Sequence, residues 1–254
     1  RSHGMTLTPV GELFLRRAQV IANESRRAKE EVAQFLGSDQ GEVVVCLSIV
    51  AHLVLLPIAW PLFQARFPGA RLRVIEGSLP AVESRLRDGS VDFFIGPAPG
   101  ADLSREFVLE HLFDNTRVVY ARYGHPLEKA RSLAELTEAR WITTAATDNA
   151  EEKFAQVFAQ HGLPAPLVVA QAESMLSMLM MVMSSDVLAI SLRQYNELPL
   201  TRSALQVIEV KEALPAPEVV IIRRAALPLT PAAEYLADMF RRASSNYTKS
   251  AHHL

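Results

Sequence analysis

The sequence has a single cysteine, Cys46, so no disulfide can close within the chain and no cysteine-rich metal site can be built. That scarcity favours a reducing compartment, and a cytoplasmic location is expected. No run of about 18 apolar residues occurs, so no membrane-spanning helix is expected. Positive charge is not in excess either: 26 Lys and Arg stand against 28 Asp and Glu, for a net charge of -2. A surface that neutralises phosphates needs clustered Lys and Arg, so most of any contact with DNA is expected to lie outside this chain. The usual catalytic signatures are missing together. There is no Gly-x-Ser-x-Gly elbow, Walker loop or Gly-x-Gly-x-x-Gly turn. The seven histidines (His3, His52, His111, His125, His161, His252 and His253) include no His-x3-His or His-Glu-x-x-His pair. The expectation is therefore no catalytic residues, no metal, no cofactor and no enzyme, with Cys46 a buried structural thiol and His252-His253 a tail. The opening Arg1-Ser2-His3-Gly4 has neither Met nor a charged-then-apolar leader, and reads as a fragment with something upstream.

What is present begins with a long helix. Thr8-Pro9 supplies a hydroxyl N-cap and a proline at the first helical position, and Gly37 a stop after Leu36. Phe14, Ala18, Ile21, Ser25, Ala28, Val32 and Phe35 follow a 4,3 spacing over three heptads, which suits pairing with a second helix. The competing reading is an amphipathic helix laid on its own domain. After the polar Ser38–Gly41 linker the pattern alternates. Strands are expected at Glu42–Leu47, Arg71–Glu76, Val91–Ile95, Arg117–Ala121, Trp141–Thr144, Leu167–Gln171, Val187–Ser191, Leu205–Val210 and Glu218–Arg223. Helices are expected from Ser48 through Phe67, at Leu79–Arg87, Asn149–His161 and Ser174–Met183, and at Pro231–Ala243 behind Thr230. Such units imply α/β lobes with parallel sheets. Two sets suggest two lobes, with the last strand and helix returning to the first and a two-strand hinge near Leu109–Phe113 and Leu214–Glu218.

Several strands end in a small hydroxyl residue at a turn into a helix: Ser48, Ser78, Thr143, Thr144 and Ser174. Ligands of open α/β sheets bind beyond the carboxyl ends of strands, where helix N-termini favour anions. Each of these residues is also an ordinary N-cap. The methionines at 175, 178, 180, 181 and 183 read as core or as an adaptable surface.

Met5-Thr6-Leu7-Thr8-Pro9-Val10-Gly11 resembles the junction that ends the winged helix-turn-helix of LysR-type transcriptional regulators. Leu55-Leu56-Pro57, Phe67-Pro68-Gly69-Ala70, Leu86-Arg87-Asp88-Gly89-Ser90-Val91-Asp92-Phe93 and His125-Pro126-Leu127 follow the family's pattern in order. The resemblance implies a type 2 periplasmic-binding-protein-like fold of two Rossmann-like lobes behind a long dimerising linker helix. The division would be a wing remnant at 1–8, the linker at 9–40, lobe I at 41–110 with 217–246, and lobe II at 111–216. It implies a small-molecule effector held between the lobes, a dimer or tetramer of the chain, and no membrane partner. By position Ser48 and Val50 match the first effector loop, Ser78 the second and Pro97 the third. Thr144 and Ser174 face the cleft from lobe II, and Ser191 and Arg193 reach it. The sequence departs from the family at Ser185-Asp186-Val187, where a Gly-x-Gly turn is frequent, and at Leu192, where a proline is. Val50 stands where many members are polar, which suits an anionic effector with a hydrophobic body. The alternatives are a periplasmic-type solute receptor or an enzyme on the same fold.

Overall fold

The computed structural model describes residues 6–100, 103–144, 150–197 and 199–251. Residues 1–5 of the expected wing remnant, Asn149 and His252-His253 lie outside the described residues.

Helix α1 (Pro9–Phe35) starts and stops on the residues that the sequence nominated. The Thr8 hydroxyl accepts from Gly11 N at 3.1 Å. At the other end Gly37 takes φ +97°, Ser38 N donates to Ala33 O at 2.9 Å and Gly37 N to Gln34 O at 3.1 Å. This pair of bonds is the Schellman closure, and glycine is what permits the left-handed turn.

The chain then runs β1 (Gly41–Leu47), α2 (Ile49–Val54), α3 (Leu56–Arg66), β2 (Ala70–Glu76), α4 (Leu79–Arg87), β3 (Phe93–Pro97) and β4 (Phe107–Phe113). It continues through β5 (Arg117–Arg122), β6 (Arg140–Thr144), α5 (Ala150–Ala159), β7 (Leu167–Ala172), α6 (Met175–Ser184), β8 (Val187–Leu192), α7 (Pro199–Arg202) and β9 (Leu205–Ile208). Strand β10 (Val219–Arg224) and helix α8 (Pro231–Ala251) close it. Two compact units result, Arg1–Phe113 with Glu218–Leu254, and Asp114–Pro217. The first unit holds a sheet in the order β2-β1-β3-β10-β4, the second one in the order β7-β6-β8-β5-β9.

The expectation of parallel sheets needs correction. Three adjacent strands of each sheet are parallel, but β10 runs against β3 and β4, and β5 against β8 and β9. The cause is the double crossing. Strand β4 carries the chain out of the first unit and β10 brings it back, so Val219 pairs with Phe113 as in a hairpin whose loop is the whole second unit. The helix expected from Ser48 through Phe67 breaks at Leu55. Pro57 has no N–H for the carbonyl of Leu53, and its ring disfavours a continuous helix through the preceding residues. Helix α8 outruns its expected end because Ser244 donates to Leu112 O at 2.8 Å and Tyr247 packs edge-on to Phe113, with ring centroids 5.2 Å apart.

The first unit is built around Leu47, Phe63, Phe93, Phe94, Ile95 and Phe240, all fully buried. The second centres on Trp141, whose ring meets Phe154 and Phe158 edge-on or tilted. Cys46 is fully buried in β1, and burial pushes its thiol from 9.0 to about 11. A raised thiol pKa keeps the folded state protonated after the unfolded chain has begun to ionise. Any stability that wild type holds over Cys46→Ala is therefore expected to be intact below pH 9 and to shrink as pH climbs from about 9 to about 11. Iodoacetamide at pH 8 is expected to leave the native thiol unmodified and to label it in denaturant. Stoichiometric labelling of native protein within minutes would contradict this burial.

Helix α1 docks on the first unit with its polar face. Asn23 Nδ2 donates to Asp88 O at 2.9 Å, and Gln34 Oε1 accepts from Ala232 N at 2.9 Å, capping the start of α8. Arg27, 5% exposed, pairs with Asp92, while Glu24 pairs with Arg224. The heptad residues lie on the opposite face: Phe14 is 73% exposed, Ile21 70%, Val32 61% and Phe35 86%. Packing of the apolar stripe on its own domain is therefore not what the chain does.

Candidate functional site

In the first unit β1 and β2 end level, Leu47 opposite Glu76, and beside Leu47 lies Ile95 of β3, which runs on to Pro97. Ser48 follows β1 in extended backbone (φ -70°, ψ 164°) and opens α2, yet its hydroxyl makes no cap bond. Its N–H donates to Ile95 O at 2.7 Å, and its carbonyl accepts from His52 N at 3.1 Å and from His52 Nδ1 at 3.0 Å. The Oγ itself is buried and has no partner among the described residues. A sealed hydroxyl left unpaired costs about 1–3 kcal/mol, so the position is made for an additional hydrogen-bonding group. Gly96 allows this close packing, since a Cβ there would sit 2.3 Å from the Phe94 ring and 3.0 Å from Ser48 Cβ.

Ser78 occupies the N-cap position of α4, again without a side-chain cap bond. It lines a cavity of about 440 Å³ together with Leu79, Phe94, Pro97 and Leu103, with Glu83 and Ser104 as further polar groups. The structure thus brings Ser78 and Pro97 into one cavity and sets Ser48 beside Gly96, the residue before Pro97. Val50 is 1% exposed, so its side chain is packed away and offers no wall to a diffusing molecule.

In the second unit Thr144 ends β6, and its side chain lies outside the described residues. Its neighbour Thr143 is 3% exposed with an unpartnered Oγ1, a second strand-end hydroxyl of the Ser48 kind. Ser174 is exposed and caps α6, accepting from Ser177 N at 3.3 Å, which occupies one lone pair and leaves the O–H as a donor. Ser191 is 5% exposed within β8, opposite Val118. Five buried side-chain atoms lack partners among the described residues, and two of them are Ser48 Oγ and Thr143 Oγ1. His125, in the turn singled out by the sequence, accepts from Leu127 N at Nδ1 and is 3% exposed, which makes it a turn-former. Of the methionine-rich α6, Met178 is buried, while Leu176, Met180 and Met181 remain exposed.

One feature escaped the sequence reading: a second cavity, of about 420 Å³, built wholly within the second unit around Arg117. Arginine at the start of a strand carries no signal by itself, and the acids near it in space lie some 90 residues away in sequence.

With this geometry in hand, the chain was compared with known proteins. The family model of the LysR substrate binding domain matches residues 36–245. HTH-type transcriptional regulator GalR of Pseudomonas putida is 29% identical over 189 residues, which is 74% of this chain and 48% of that protein. The chain thus spans about half the length of that relative. Among solved structures, CbnR, a LysR family transcriptional regulator, superposes with a TM-score of 0.69 at 14% identity, covering 94% of this chain and 82% of that one. The effector binding domain of QuiR in complex with shikimate gives 0.67 at 14% identity, covering 82% and 98%.

Proposed function

The chain belongs to the LysR family, whose effector-binding domains share its type 2 periplasmic-binding-protein-like fold, and we propose that it is the sensing part of a transcriptional regulator that takes up a small organic acid at the strand ends of its two units. The observation that carries this reading is the buried Ser48 hydroxyl, without a partner among the described residues, at the carboxyl ends of β1 and β2 and beside β3. Ser78 and Pro97 line the adjoining cavity, and Thr144, Ser174 and Ser191 are proposed to serve from the second unit. Hydroxyls and helix N–H groups favour a carboxylate without burying an opposing charge. The apolar lining from Leu79, Phe94 and Leu103 suits a hydrophobic body. QuiR's effector domain is seen with shikimate and that of BenM with benzoate, and both are small acids of this kind.

Promoter binding is proposed to reside in a domain preceding α1, and regulation to work through an oligomer. The exposed seam of α1 supports the oligomer. Further exposed apolar side chains lie at Ile58, Trp60 and Leu62 and at Leu176, Met180 and Met181. No helix among the described residues is long and apolar enough to cross a membrane.

Calorimetry with shikimate, benzoate and related acids tests the sensor. At least one is expected to bind, and Ser48→Ala is expected to weaken that binding about 5- to 100-fold, the equivalent of one hydrogen bond to a charged group. The melting temperature should hold or rise, because Ser48 Oγ is buried without a partner among the described residues and its removal relieves that cost. Equal affinity in wild type and variant would remove Ser48 from the site. Sustained conversion of any of these acids to product would replace the sensor by an enzyme.

A further inference from the structure

The Arg117 cavity is unlike the strand-end site. All twelve residues that line it lie between Asn115 and Pro215 in the second unit, and Arg193 alone among them was nominated for the effector. Its floor is apolar: Val118, Ile208 and Leu214 are 4%, 1% and 7% exposed. Its charges are unequally matched. Arg193 reaches both carboxylate oxygens of Glu209, at 2.9 and 3.0 Å, and Glu212 Oε2 accepts from Leu133 N at 2.9 Å. Arg117 has no carboxylate. Its one side-chain bond among the described residues is from Nη1 to Pro215 O at 2.9 Å. Arg117 is half-buried, so its guanidinium is partly withdrawn from water with no opposite charge, and its five N–H donors in a fixed fork match a carboxylate. Burial accordingly pushes the Arg117 guanidinium below its ordinary pKa, though it stays protonated at neutral pH. Next to it Asn115 turns its oxygen to Gln194 Nε2, at 2.9 Å, and to Thr116 N, at 2.9 Å. That leaves the Asn115 amide nitrogen as a second donor.

We propose that this cavity binds a small monocarboxylate with an apolar body, its carboxylate on Arg117 and its body on Val118, Ile208 and Leu214. A monocarboxylate fits better than a phosphate. Only one cation is unpaired, Glu209 and Glu212 stand on the same wall, and most of the lining is hydrocarbon. The site also has a place in the fold where occupancy would be felt. Arg117 N donates to Leu214 O at 2.9 Å and Thr116 bridges Pro215, so Arg117 sits in the clasp between the segments by which the chain enters and leaves the second unit. A ligand on Arg117 would tighten that clasp independently of what Ser48 binds.

Methyl-resolved NMR of the whole chain, titrated with cyclohexanecarboxylate, tests this directly. Saturable shifts are expected at the methyls of Val118, Ile208, Val210 and Leu214. Arg117→Gln is expected to weaken the binding at least tenfold, and Ser48→Ala to leave it unchanged. Should Arg117→Gln fail to fold, cyclohexylmethanol on wild type decides the matter: the neutral analogue should bind at least tenfold more weakly. Shifts confined to the surroundings of Ser78 and Pro97, or equal binding of acid and alcohol, would overturn the proposal. So would loss of binding in Ser48→Ala with retention in Arg117→Gln. Inorganic phosphate is the remaining arm, and phosphate that binds at Arg117 as tightly as the acid would overturn the apolar-body assignment.

Discussion

Replacing Asp92 by alanine is expected to cost the first unit about 3–5 kcal/mol, the toll of breaking a buried ion pair by removing one partner. At roughly 2–4 °C per kcal/mol for a chain of this size, the melting temperature should fall by about 6–20 °C. The reason is a double attachment. One carboxylate oxygen takes the guanidinium of Arg27, and the other accepts from Val44 N at 2.7 Å, while Asp92 N donates back to Val44 O at 2.7 Å. Arg27 and Asp92 are both 5% exposed, and Arg27 Nε already lacks a partner. Deleting the carboxylate strands a cation and a backbone N–H together. Asp92→Asn can keep the bond to Val44 N and should lose less. The double variant Arg27→Met with Asp92→Asn removes both charges and should recover part of the loss, since well-packed neutral groups often equal a buried pair. Thermal unfolding of wild type and these three variants checks this order. A melting temperature unchanged in Asp92→Ala would show that the joint carries no stability.

This joint bears on function because it fixes α1 to the sensing unit. Asp92–Arg27–Glu24–Arg224 alternates in sign from the loop after α4 through the helix to β10. Gln34 then ties the far end of the helix to the start of α8. Under the proposed function, a DNA-binding domain preceding α1 inherits any movement of the first unit through these contacts. Loosening them should uncouple effector from DNA without touching Ser48.

Much of the local structure was legible in the sequence because its causes are local. Thr8-Pro9 and Gly37 marked the ends of α1, and Ser78 and Asp88-Gly89 the ends of α4, through residue types whose backbone preferences act on neighbours in sequence. What was not legible came from distant partners. Asp92 was readable only as part of a motif, because its partner Arg27 is 65 residues away and belongs to a helix whose polar face looked solvated. The antiparallel course of β10 depends on a chain that leaves and returns. At the candidate site, Ser48 and Ser78 were readable as hydroxyls at strand ends, where a cap and a ligand contact look alike. At Ser48 and Ser78 the missing cap bonds separate the two roles, whereas Ser174 makes its cap bond and keeps a donor. Val50 was placed by its order in the chain, which says nothing of the direction of its side chain.

The heptad seam carries the other large effect. Because α1 spends its polar face on its own unit, the stripe of Phe14, Ile21, Val32 and Phe35 meets only water in a single chain. Under the proposed oligomer a second copy of the helix covers it. Ile21→Asp then removes about 1.5–3 kcal/mol of burial from each of two helices and sets two like charges in one seam. Dissociation constants should rise by at least 100- to 10,000-fold. Light scattering at tens of micromolar should show the mass fall, while far-UV circular dichroism stays as in wild type, since Ile21 is 70% exposed in the folded chain. Glu31→Gln, off the seam, should leave the mass alone. A wild-type monomer, or an unchanged mass for Ile21→Asp, would remove the helix from the interface. The size of the fall is informative in itself. A drop to monomer makes α1 the sole interface, whereas a tetramer reduced to a dimer assigns the surviving contact to the other exposed apolar faces, on α3 or α6.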